Sequence, residues 1–186
     1  MLKRDHLLLS TDEHFKVSHI LDDLRHSVGD SEFGYRAQGF LAHALMHLGW
    51  TIIDIKPQGH PDVIANLGSQ ALLLQAKSIH GRTRRQGFSL GQEDLEGIRP
   101  KDHNTTGYLA ILDCTIPVSW LLVDYRVIRR QVAQPTHVVS LYAMGNKELS
   151  SECTEEFVKL VSSHQSHIRN LDFHILCSRA LRGEPL

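Results

Sequence analysis

An acid, an amide and an amine stand close together in the chain at Asp62, Gln75 and Lys77, with His60 just before them. A carboxylate and an amide oxygen suit a hard divalent cation, which prefers oxygen donors. A lysine ammonium beside such an ion can stabilise charge developing on an oxyanion or position an attacking water. These groups cooperate only if the backbone brings them to one face. Residues 59–77 read as two short strands joined at Gly68-Ser69, a dipeptide suited to a tight hairpin turn. With those two residues as the loop, Leu67 faces Gln70, Asp62 faces Gln75 and His60 faces Lys77. Directly opposed side chains share a face, with Cβ atoms about 4.5–5.5 Å apart. One face then carries His60, Asp62, Gln75 and Lys77. The other carries Val63, Ala65, Leu67, Leu72, Leu74 and Ala76, all apolar.

The rest of the chain supplies elements that could hold this hairpin. Ser10 and Glu13 form a capping box ahead of a helix over 11–28, whose Val17, Ile20, Leu21, Leu24 and Val28 recur at helical spacing. Its expected role is packing or dimerisation. Ser31 caps a second helix over 31–48 with the apolar stripe Ala37, Phe40, Leu41, Ala44, Leu45 and Leu48. Gln38 lies beside that stripe. His43 and His47 lie at i, i+4 without the Glu of a zinc-protease motif, so they read as helix-surface residues. Strands are expected at 51–55, 108–112 and 120–123, with a turn around Thr115-Ile116-Pro117 and an added strand at 137–141. Short helices are expected over 89–98, with Leu95 and Ile98 inward, and near 127–130. A late helix spans about 152–168. Residues 173–176 fit strand or helix. The pattern is α/β with a central sheet.

At 186 residues the chain reads as a single domain large enough for a substantial core. Its net charge of −1 leaves no global basic field, so any nucleic-acid binding rests on a local patch. Cys114, Cys153 and Cys177 are far apart and odd in number. They read as reduced thiols of a cytoplasmic protein. No run approaches the ~20 apolar residues of a membrane span. No phosphate-binding Gly-rich loop with Lys-Ser/Thr occurs, which argues against an ATP-driven motor.

An acid on one strand and Gln-x-Lys on the next, here Pro61-Asp62 and Gln75-Ala76-Lys77, resembles the PD-(D/E)xK nuclease superfamily. The likeness is closest to Mrr-like restriction endonucleases, with Holliday-junction resolvases also similar. Gly34-Tyr35-Arg36-Ala37-Gln38, the helix that follows, Gly49-Trp50 and the next strand resemble the first helix and strand of that fold. The likeness covers about residues 31–125. It implies a restriction-endonuclease-like core, a central mixed sheet flanked by helices, with 1–29 as an accessory helix and 126–186 as a C-terminal elaboration.

The resemblance further implies a metal-dependent endonuclease hydrolysing DNA phosphodiesters, of restriction or repair type, using Mg²⁺ or Mn²⁺. Asp62, Gln75 and the Ala76 carbonyl would hold the ion. Lys77 would assist the attack, and Gln38 would complete the catalytic set. His60 and the Arg82, Arg84 and Arg85 loop are the expected contacts to double-stranded DNA, gripping phosphates without reading sequence. A homodimer would cut both strands. Gln38 and Gln75 occupy positions where related nucleases often carry Glu, leaving one carboxylate at the centre unless Asp54 or Glu32 substitutes. Two alternatives follow: a catalytically inactive nuclease-fold DNA-binding or scaffold protein, and an adaptor that uses its first helix to join a larger complex.

Overall fold

The structure, a computed structural model, describes residues 10–80, 90–130 and 141–186. The Arg82, Arg84 and Arg85 loop lies outside these, as does all but Leu141 of the strand expected at 137–141.

α1 runs Thr11–Val28 and starts on the anticipated capping box. Ser10 Oγ accepts from the Glu13 N–H, and Glu13 Oε2 accepts from the Ser10 N–H at 3.0 Å. Gly29, at φ 84°, ends α1 and also precedes α2, Asp30–His47. Ser31 therefore does not cap α2; the cap position falls on Gly29, which has no side chain to offer. α2 runs through the middle of the molecule, with Phe33, Ala37, Phe40, Leu41, Ala44 and Leu45 buried. Gly39 lets the last helix approach: a Cβ there would stand 2.6 Å from Leu176 Cβ. The same approach buries His43 completely, a correction to the surface placement expected for it. Its Nε2 meets the Leu176 carbonyl at 2.9 Å, and burial pushes its pKa down to about 4.

The sheet contains β1 Thr51–Ile55, β2 Val63–Leu67, β3 Gln70–Ile79, β4 Thr105–Asp113 and β5 Ser119–Asp124, side by side in that order. β1–β2–β3 is an antiparallel meander, β3 and β4 are parallel, and β5 returns antiparallel, so the sheet is mixed. The parallel step requires a crossover, which contains the short helix α3, Gln92–Gly97. Tyr125–Ile128 forms α4, Lys147–Ser163 forms α5, and Phe173–Leu181 forms α6, so residues 173–176 are helical.

Alternate residues of the strands feed two cores. On one face Val63, Ala65, Leu72, Leu74, Tyr108, Ala110, Leu112, Trp120 and Leu122 meet α1, α2, α5 and α6. On the other, Ile79, Leu109, Ile111, Leu121 and Val123 meet Leu95 and Ile98 of the α3 segment and Ile128 of α4. Burial on both faces explains why β4 reads as an unbroken apolar run. Val17, Leu21 and Leu24 of α1 are wholly buried in the first core, so this helix is part of its packing.

Candidate active site

The hairpin closes at Gly68-Ser69, and Leu67 pairs with Gln70 through to Val63 with Leu74, the register expected from the sequence. Of the apolar side, Val63, Ala65, Leu72 and Leu74 are buried, whereas Leu67 is exposed at the turn, beyond the reach of the helices.

The ladder stops at Val63, and the side chains carry the connection one step further. Asp62 Oδ2 accepts from Gln75 Nε2 at 2.6 Å and from the Ala76 N–H at 2.7 Å. Its other oxygen, Oδ1, has no hydrogen-bond partner among the described residues. Both Asp62 and Gln75 are buried, each 3% exposed. Loss of water pushes the Asp62 pKa up to about 6, against the Ala76 N–H and nearby Lys77 and His60, which favour the ionised form; the Asp94 carboxylate pushes it up further. Within a strand the N–H and C=O of one residue point to the same neighbour. Since the Ala76 N–H points to Asp62, its carbonyl faces the same cleft.

The ladder ends before it could set His60 opposite Lys77. Beyond Val63 no ladder pairing fixes its place, and its ring sits over Gln75, with Nδ1 3.1 Å from Gln75 Oε1. Lys77 instead pairs with Asp94 of α3, its Nζ 3.1 Å from each carboxylate oxygen. Asp94 Oδ1 also lies 3.4 Å from His60 Nδ1. One continuous polar chain thus runs Asp62–Gln75–His60–Asp94–Lys77. Glu93, largely exposed, approaches the far side of the His60 ring at 3.8 Å. Asp94 was missed in the sequence. The available signal was an Asp directly before Leu95, on a short helix that must cross the face bearing Gln75 and Lys77.

α3 has only six residues and could not persist alone. It is held by Leu95 and Ile98, whose burial contributes roughly 3–6 kcal/mol together. Gly97 then lies against His60, where a Cβ would come within 2.5 Å of the His60 Cβ and 2.9 Å of its carbonyl carbon.

Gln38 reaches the same stretch of β3 differently. α2 packs on the face that carries Ala76, while Gln75 and Lys77 project from the other. Gln38 lines a cavity of about 270 Å³ with Ala76, Lys77 and Ser78. It is 7% exposed, its Oε1 is buried without a partner among the described residues, and it makes no hydrogen bond to Asp62, Gln75 or Lys77. Glu32 pairs with Arg36, and Asp54 with Lys56, so neither replaces a carboxylate at the centre. Among the described residues, no three His, Cys, Asp or Glu side chains gather as a metal cluster. A larger cavity of about 590 Å³ lies against β5 and α5 and shares no residue with this site.

The donor set nevertheless fits a hard cation. The uncommitted Asp62 Oδ1, the Ala76 carbonyl and the Gln75 amide oxygen are all oxygens. A half-turn of the Gln75 amide exchanges its nitrogen for its oxygen beside Asp62. The orphaned Gln38 oxygen is a further acceptor at the margin. No protein-family model, curated protein or solved structure matches the chain. Among the described residues no helix is long and apolar enough to cross a membrane.

Proposed function

We propose that this protein is a metal-dependent endonuclease of the restriction-endonuclease-like PD-(D/E)xK kind, nearest in pattern to Mrr-like enzymes, hydrolysing phosphodiester bonds of double-stranded DNA. The observation that carries the reading is the meeting of Asp62 with Gln75 and the Ala76 backbone at the point where β2 and β3 part, with Lys77 two residues on. The order α2, β1, β2, β3, α3, β4 agrees with it.

Asp62, Gln75 and the Ala76 carbonyl would hold Mg²⁺ or Mn²⁺, which when bound supplies an activated water and neutralises charge on the phosphate. Lys77 brings a fixed positive charge to the phosphate oxygens as negative charge grows on them. His60, at the open edge of the cleft, donates to the strand being cut. A single carboxylate at the centre implies weak ion binding, because ligand charge helps set affinity. A second copy of the chain would cut the opposite strand.

Purified protein given supercoiled plasmid and Mg²⁺ or Mn²⁺ is expected to nick it, and Lys77→Ala and Asp62→Ala are expected to abolish nicking. Equal nicking by both variants would trace the activity to a contaminant and remove the reading. A second reading, an inactive relative that binds DNA without cutting, is favoured by the pairing of Lys77 with Asp94. It predicts retarded plasmid that stays supercoiled.

A further inference from the structure

Asp94 is the carboxylate that neither the hairpin nor the proposed ion explains. It is 7% exposed, and a carboxylate at that depth costs several kcal/mol unless it is paired and hydrogen-bonded. Two donors meet that cost, with the His60 ring standing close by. Lys77 Nζ lies at 3.1 Å from both oxygens, the Gly91 N–H donates to Oδ2 at 3.0 Å, and His60 Nδ1 stands 3.4 Å from Oδ1. Gly91 precedes α3, so the carboxylate is tied to its own helix as well as to the sheet. The helix is tied down in turn by Leu95, Ile98 and the contact between Gly97 and His60.

A lysine side chain left free samples many rotamers, and its ammonium is a compact point charge on a flexible stem. Bound to both oxygens of a buried, anchored carboxylate, its ammonium is restrained beside α3. The geometry points to Asp94 as a positioning residue of the proposed nuclease site. It holds the Lys77 ammonium and the His60 ring in a single arrangement beside Asp62 and Gln75. The second carboxylate of the site thus serves the lysine and not the ion. This inference rests on the nuclease reading above. The opposed possibility is a latch, in which Asp94 keeps Lys77 away from the phosphate, and the two predict effects of opposite sign.

The test uses the full chain with Asp94→Asn and Asp94→Glu, in plasmid nicking at saturating Mn²⁺. Positioning predicts that Asn lowers kcat about 100-fold while KM for DNA and the Mn²⁺ midpoint stay within about threefold, since the lost function is orientation. Glu, which keeps the charge, restores part of kcat. An unchanged or raised kcat in Asp94→Asn overturns the inference, a rise being the mark of a latch. Should Asp94→Asn fail to fold, Asp94→Glu carries the test: its longer stem shifts the ammonium, and wild-type kcat in that variant overturns positioning.

Lysine-ammonium ¹⁵N NMR reads the hold without any cleavage. The Lys77 signal should be in slow exchange in the wild type and lost in Asp94→Asn. A signal unchanged by the substitution overturns the inference even if nicking is robust. A wild type that does not nick, with the Lys77 signal still lost in Asp94→Asn, overturns the nuclease reading itself.

Discussion

Replacing Asp62 by Asn should make the protein more stable at neutral pH, and by an amount that depends on pH. In the fold, burial pushes the Asp62 pKa up to about 6, from an ordinary 3.8. A carboxyl with a raised folded value favours the fold fully below its unfolded pKa, and that contribution is lost as pH rises through the folded pKa. Measured against that low-pH limit, the raised pKa of Asp62 lowers stability by about 1 kcal/mol at about pH 4.5 and by about 3 kcal/mol at about pH 8. Asn cannot ionise and keeps an oxygen for the Ala76 N–H. The stability of Asp62→Asn relative to wild type should therefore rise by about 2 kcal/mol between these pH values. The wild-type curve alone would not reveal this. His43, with its pKa pushed down to about 4, titrates in the same range with the opposite slope, its stabilisation lost as pH falls from about 6.5 through 4. The difference between two proteins that share His43 isolates Asp62. Urea unfolding across the range, in chelator, measures it. A difference that does not change with pH, or that falls as pH rises, would refute the claim that a buried, ion-free carboxylate sits at this point.

The same residue links stability to the ion: Mn²⁺ at about 100 times its dissociation constant should stabilise the wild type by about 2.7 kcal/mol in thermal unfolding and leave Asp62→Asn unmoved. Equal shifts in both would place the ion elsewhere. Gly97→Ala would force α3 away from His60, where a Cβ has no room, and should lower stability by about 1–3 kcal/mol in urea unfolding. Nicking should fall in the same variant, because α3 carries Asp94. A variant as stable and as active as wild type would show that the close contact is not needed.

Much of the local architecture was legible from residue patterns because its causes are local. The capping box at Ser10 and Glu13, the helical spacing of Val17, Leu21 and Leu24, and the turn at Gly68-Ser69 each depend on residues a few positions apart. A two-residue turn also sets the register of its strands, so the meeting of Asp62 with Gln75 followed from the turn alone. What lay more than one step past the ladder did not follow. The place of the His60 ring, against Gln75 and Asp94, is not set by register, which ceases to bind once the strands part. Gln38 was expected in the catalytic set, yet its helix lies on the face opposite Gln75 and Lys77.

The sequence by itself determined the hairpin, its apolar and polar sides, and the acid and amide at its open end. Periodicity and turn chemistry are short-range properties of the chain. Only the tertiary structure decided that His43 is buried under α6, and that Lys77 answers to Asp94. Both depend on where a distant helix comes to rest: α6 against Gly39, and α3 across the parallel step from β3 to β4. Those positions are set by the packing of two cores on opposite faces of one sheet, in which the gain from burying Leu95, Ile98 and Leu176 is shared among many residues far apart in the chain.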